Sequence, residues 1–229
     1  MKKQITIFLI VILSGLTVSA QSTNTNITTL MTETEWNATF PKRAGSTPGS
    51  PTGFTTDFYS YNNFKTACNE MADYSISFRK KAGKAGQITT VTRAQSGASY
   101  TTSSVDATWA AHTGVETTIT VNFAEFINTG DQQNNKRELA AFLANVTKET
   151  TGGWVLPVGN GGSGDHAIWG LHYVNEVATG NCYTQSDANY PAVGGQCYSG
   201  RGPLQLSWNY NYGQASEFIY NDKSTLLNN

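Results

Sequence analysis

Apolar positions along this chain fall into three patterns: one apolar run at the start, helical spacing in several stretches, and short β-forming runs between them. The run extends from Ile5 to Val18, broken only by Thr6, Ser14, Gly15 and Thr17, and follows Lys2 and Lys3. Val18-Ser19-Ala20 then has the small-residue form of a signal-peptidase site, which predicts a signal peptide over residues 1–20 and cleavage before Gln21. A retained anchor is the alternative, but the run is short of the roughly 20 apolar residues that cross a bilayer. No second run of that length follows. The expected mature chain is soluble, secreted or periplasmic, with no membrane association after signal removal.

Residues 21–35, rich in Thr and Asn, read as a flexible leader. Trp36 to Phe40 reads as a short helix or turn stopped by Pro41, and the Gly- and Pro-rich stretch 43–56 as a loop. Tyr59 to Met71 has Phe64, Ala67, Cys68 and Met71 at helical spacing, which predicts a helix. From Tyr74 to Phe123 the pattern changes to short β-forming runs, Tyr74 to Phe78, Ile88 to Val91 and Thr117 to Phe123, separated by glycines. This predicts a small antiparallel sheet or an irregular excursion without chemistry of its own. Asn134 to Glu149 is the clearest helix, with Leu139, Phe142, Leu143 and Val146 in one stripe. Ile168 to Val177 suits a short helix. In 204–209, Leu204, Leu206 and Trp208 alternate with Gln205, Ser207 and Asn209, as in a strand lining a polar groove or an extended loop.

Composition narrows the function. The 229 residues suit one domain, and the 38% hydrophobic content supports a core. Charged residues are only 14% and the formal net charge is -1, so a nucleic-acid surface is not expected. The Gly-rich stretch 159–164 lacks the Lys-Ser/Thr ending of a phosphate loop. His166, His172, Asp165 and Glu176 have no standard ligand spacing, so neither a metal nor another cofactor is expected. Export permits disulfides. Cys182 and Cys197 flank a polar loop and are the expected pair, worth roughly 3 kcal/mol by chain entropy. Cys68 is then a buried thiol or lacks its partner.

Two carboxylates are the candidate chemistry. Glu149 ends the best helix beside a Gly turn and Trp154, a setting that would partly desolvate it. Glu176 follows on the second predicted helix and would face the same cleft. Two carboxylates in different surroundings are the pattern of glycoside hydrolysis. Composition and spacing alone equally suit solvated helix residues, or partners for Lys148, Lys136 or Arg201.

Two long motifs change that balance. Lys136-Arg137-Glu138-Leu139-Ala140-Ala141-Phe142, continuing to Lys148-Glu149-Thr150-Thr151-Gly152-Gly153-Trp154, resembles the first signature of the family 19 glycoside hydrolases, the plant-type chitinases. Tyr198-Ser199-Gly200-Arg201-Gly202-Pro203-Leu204-Gln205-Leu206-Ser207-Trp208-Asn209-Tyr210-Asn211-Tyr212-Gly213 resembles the second. Trp169-Gly170-Leu171 with Glu176 is similar to the segment between them. The resemblance implies a mainly α, lysozyme-like (α+β) fold with a small β-rich excursion. It implies a catalytic domain over 36–229 with an insertion near 75–120, incomplete at its C-terminus relative to the family. It implies inverting endo-hydrolysis of β-1,4-linked N-acetylglucosamine polymers by a monomer. Glu149 would be the general acid, Glu176 the general base, and Ser207 would help to hold the water. Thr151, Trp154, Tyr198, Arg201, Gln205 and Asn211 would bind substrate or line the cleft, with Arg201 orienting a carboxylate. Lys148 stands where the family often has His, and Ser199 replaces one of a tyrosine pair. A lysozyme-like enzyme cleaving peptidoglycan and a non-catalytic glycan-binding protein are the competing readings.

Overall fold

A computed structural model of the chain describes residues 26–44, 56–94, 96–151, 167–176 and 182–228. The expected signal peptide, most of the 43–56 loop, the 159–164 loop, His166 and Trp154 lie outside the described residues.

Helices α1 (Asn26–Leu30), α2 (Glu33–Thr39) and α3 (Tyr61–Met71) precede the sheet. Part of the stretch read as a flexible leader is therefore helical. Ile27 is 1% exposed in the main core, and Asn26 Nδ2 donates to the Ile127 carbonyl at 3.0 Å. Ile27, the partly buried Leu30 and one side-chain amide thus tie α1 down within an otherwise polar segment. Thr32 and Glu35 start α2 with a reciprocal capping box, which satisfies two backbone donors that the first turn leaves free. Ser60 caps α3 by accepting from Asn63 N at 3.1 Å, so the helix starts at Tyr61, two residues later than expected.

Trp36 is the centre of the main core. It stacks on Phe64 at 4.8 Å, meets Phe40 edge-on at 4.8 Å and donates from Nε1 to the Tyr59 carbonyl at 3.0 Å. Trp36 is 1% exposed. Trp36→Ala is expected to cost about 3–5 kcal/mol through the cavity it leaves. The check is a lower urea midpoint with an unchanged m-value.

Strands β1 (Tyr74–Lys81), β2 (Ile88–Arg93), β3 (Ser99–Ser103) and β4 (Glu116–Asn122) form an antiparallel sheet in the order β3-β2-β1-β4. The short β-forming runs thus resolve into a sheet. Tyr74, Ile76 and Val91 bury their side chains with Met71 of α3 and Phe218 further along the chain. The covered face stops short of β4. Val121 pairs with Ile76 and Ile119 with Phe78 across the ladder, yet Ile119 is 59% exposed and Val121 43%.

Helix α4 (Gln132–Thr151) carries the predicted stripe. Leu139 and Val146 are buried, and Phe142 and Leu143 pack against the same core. Its N-terminus is earlier than expected because Asp131 Oδ1 accepts from Asn134 N at 2.9 Å. Just before it, Ile127 has a left-handed backbone, φ 51°, which is unfavourable for a β-branched residue. Complete burial of its side chain and a 2.8 Å bond from its N–H to Glu138 Oε2 offset that cost.

Helices α5 (Asn209–Tyr220) and α6 (Ser224–Leu227) follow. Tyr212, Ala215, Leu226 and Leu227 form a second core with Tyr190 and Tyr198. The chain therefore combines helices with one small antiparallel sheet, the α+β composition expected. Among the described residues, no helix is long and apolar enough to cross a membrane.

Candidate active site

The C-terminal turn of α4 is joined to the segment that carries Glu176. Thr150 is fully buried. Its hydroxyl donates to the Val146 carbonyl at 2.6 Å and accepts from Leu171 N at 2.8 Å. The Thr150 carbonyl accepts from Tyr173 N at 3.1 Å. Glu149 and Glu176 are thus each three residues or fewer from a direct backbone tie.

Residues 168–176 do not form the expected helix. Leu171 has φ 58°, and its N–H and carbonyl bond to Thr150 and Ala44 instead of to helical neighbours. Asn175 then makes a β-bridge to Arg201. Nor is 204–209 the expected strand. Arg201 pairs back onto Leu206, and Gln205 and Trp208 have φ of 52° and 77°. The segment is a tight turn, the loop alternative made compact.

That turn holds Glu176. The Glu176 N–H donates to the Gly200 carbonyl at 2.7 Å, and Gly200 N donates back to Glu176 Oε2 at 2.9 Å. Tyr183 Oη donates to Glu176 Oε1 at 2.6 Å. Both carboxylate oxygens therefore have a fixed donor. A Cβ at Gly200 would lie 2.7 Å from Gln205 Oε1, so a larger residue there would have to displace the end of the Gln205 side chain. Sequence reasoning missed Tyr183. Its only signal was its place directly after Cys182, inside the expected disulfide loop.

Glu149 is exposed on α4 and joins no ion pair among the described residues. The partial desolvation expected for it rested on Trp154, outside the described residues. The two carboxylates do differ in setting: one is exposed, the other is half-buried and held by two donors.

The remaining predicted residues divide. Ser207 is half-buried, and its hydroxyl donates to the Gln205 carbonyl at 3.0 Å. Asn211 Nδ2 donates to the Ser207 carbonyl at 2.7 Å. Gln205 Nε2 donates to the Gly202 carbonyl at 2.9 Å, bracing the turn. Arg201 is exposed, with its guanidinium 5.5 Å from the Tyr212 ring. Burial, the main influence on Tyr212, pushes its hydroxyl up to about 12.

One expectation needs correction. Tyr198 does not line a cleft. It is 0% exposed in the second core, accepts from Val193 N at 2.9 Å and donates to the Leu227 carbonyl at 3.0 Å. The aromatic ring in that motif position serves packing. Thr151 is likewise buried, and its hydroxyl donates to the Thr147 carbonyl of its own helix at 2.9 Å.

Cys182 and Cys197 form the expected disulfide. Asn209 anchors the same loop. It is completely buried, accepts from Gln185 N at 2.8 Å, and donates to the carbonyls of Gln185 at 3.0 Å and Tyr190 at 2.7 Å. Cys68 is a free, buried thiol, pushed up to about 12 by burial.

His172 is anchored through its ring to the segment before the 43–56 loop. Its Nδ1 lies 2.7 Å from the Lys42 carbonyl oxygen, an acceptor only, so that nitrogen carries a proton. The ring sits edge-on to Trp169 and Tyr173, and burial, its main influence, favours the neutral form. A small apolar cavity of about 30 Å³ lies between Trp36, Phe58, Leu143 and Pro203, and among the described residues no carboxylate lines it.

Known proteins give this geometry a context. A family model described as "Chitinase class I" matches residues 114–229. That span begins next to β4 and takes in α4, Glu176 and the Gly200 turn. "Endochitinase 2" of Gossypium hirsutum is 50% identical over 110 residues, covering 47% of this chain and 33% of the relative. "Endochitinase 1" of Theobroma cacao is 47% identical over 110 residues, covering 47% of this chain and 31% of the relative. The match to these curated relatives thus spans about a third of their length. A solved class IV family 19 chitinase from Zea mays superposes with a TM-score of 0.32 at 36% identity, over 44% of this chain and 41% of that one. With half of the sequence matched by the family model, the motifs at Glu149 and at Gly200 rest on more than local likeness, and the chain belongs to glycoside hydrolase family 19.

Proposed function

We propose that this chain hydrolyses β-1,4 bonds in N-acetylglucosamine polymers with inversion, using Glu149 as general acid and Glu176 as general base. The observation that supports this reading most is the Glu176 carboxylate, fixed by Gly200 N and Tyr183 Oη in a chain of this family. Each carboxylate oxygen has two acceptor positions. One donor on each leaves a second position for water. A base must keep its orientation, and one donor on each oxygen favours that.

In the proposed reaction, Glu149 protonates the glycosidic oxygen as the bond to the anomeric carbon breaks. Glu176 takes a proton from a water that attacks the opposite face. The exposed position of Glu149 leaves its carboxyl open to a polymer laid across the end of α4. Ser207 supports the same water through the lone pairs that its bond to Gln205 does not use. Inverting enzymes hold their carboxyl pair roughly 6.5–9.5 Å apart to admit that water. Asn211 and Arg201 remain candidates for contacts with the sugar amide and hydroxyl groups. We place the reaction outside the cytoplasm, after removal of the signal peptide.

The test is incubation of the purified chain with chitin oligomers and, separately, with peptidoglycan. Shorter N-acetylglucosamine oligomers from chitin are expected. Cleavage of peptidoglycan alone would move the substrate to the bacterial wall. Binding of both without cleavage would make the chain a glycan-binding module.

A further inference from the structure

Tyr183 belongs to neither of the motifs that carry the family likeness, yet its hydroxyl makes the shortest bond to Glu176, 2.6 Å to Oε1. The rest of Tyr183 is held from three sides. Its neighbour Cys182 is bonded to Cys197, with Cα atoms 4.4 Å apart. Its carbonyl accepts from Asn209 N at 3.3 Å. Its ring lies 5.4 Å from the ring of Trp208, the residue after Ser207.

We infer that Tyr183 is a positioning residue: it acts through Glu176, holding one carboxylate oxygen while Gly200 N holds the other. This rests on the reading of Glu176 as general base. The argument is geometric. A carboxylate with one donor can rotate about its last bond, because that torsion is broad. A second donor on the other oxygen removes the rotation and fixes the face offered to water. The disulfide, Asn209 and the Trp208 ring keep the phenol in place before substrate arrives. That is how a supporting residue preorganises a catalytic one. The same arrangement links the Cys182–Cys197 bond to the site, with Tyr183 as the connection.

The test uses the full chain with Tyr183→Phe, which keeps the ring and the Trp208 contact and removes only the hydroxyl. The expected result is a kcat on chitin hexamer lower by about 10- to 100-fold, the scale of one lost hydrogen bond to a charged group. KM should stay within about twofold of the parent, since the phenol acts on the water rather than on the sugar. In a Glu176→Gln background, Tyr183→Phe should change nothing further, because the residue it positions is gone. Parent-like kcat in Tyr183→Phe overturns the inference while leaving Glu176 as base. An equal loss in both backgrounds overturns it too, since Tyr183 would then act independently. Parent-like turnover in Glu176→Gln instead removes the reading on which it rests. A crystal structure of Tyr183→Phe gives a check independent of turnover: the Glu176 carboxylate should lose its single orientation, and an unchanged side chain overturns the inference.

Discussion

Glu149→Gln is expected to lower turnover of chitin oligomers by roughly 10²–10⁴-fold, the usual contribution of a general acid. That corresponds to about 3–5.5 kcal/mol of transition-state stabilisation. The amide has nearly the shape of the carboxyl but no proton to give. Glu149 is exposed and joins no ion pair among the described residues, so the fold should be indifferent to the change. The thermal midpoint should not move. The loss should also depend on the leaving group. An aryl glycoside with an acidic phenol departs without protonation, so the variant should retain far more of its activity on that substrate. Equal losses on both substrates would remove Glu149 from the acid role even if turnover fell.

Glu176→Gln should cause a loss of the same order, roughly 10²–10⁴-fold, but with the opposite dependence on the leaving group. A better leaving group does not activate water, so the aryl glycoside should not rescue it. The replacement should leave the site intact for a specific reason. Gly200 N can still donate to the amide oxygen, and Tyr183 Oη can reverse its role and accept from the amide nitrogen. Glu176→Ala is the poorer choice, because it strands the Gly200 N–H at a cost of about 1–3 kcal/mol. Binding of chitin oligomer should persist in Glu176→Gln. Calorimetric binding together with residual turnover separates a missing base from a collapsed site.

The fold was legible where burial repeats with the period of the element. The stripe from Leu139 to Val146 and the face from Phe64 to Met71 gave α4 and α3, because helical spacing puts those side chains on one side. The sheet was legible as β-forming runs between glycines. The register was not, because pairing Ile76 with Val121 depends on contacts 45 residues apart. Helix α1 was not legible either, since its burial rests on Ile27 with only a partly buried Leu30 beside it. The segments at 168–176 and 204–209 misled for a shared reason. Their apolar residues suggested regular elements, while Leu171, Gln205 and Trp208 take left-handed backbones that only tertiary bonds can hold.

The same division runs through the site. The motifs single out Glu149, Glu176 and Ser207 for the proposed chemistry, but give Tyr198 a cleft role that its burial contradicts. A motif marks positions that matter without saying whether they matter for packing or for chemistry. Tyr183 was invisible because its importance lies in a contact across the disulfide loop, and no local pattern encodes that contact.

The central claim is that a water held by Glu176 attacks the sugar directly, with Glu149 as acid on the other side. The stereochemistry of the first product tests this without any variant. Proton NMR of chitin hexamer during the first minutes of hydrolysis should show the α-anomer at the new reducing end, later relaxing toward the equilibrium mixture. Initial appearance of the β-anomer would mean retention through a covalent intermediate, and would contradict the account.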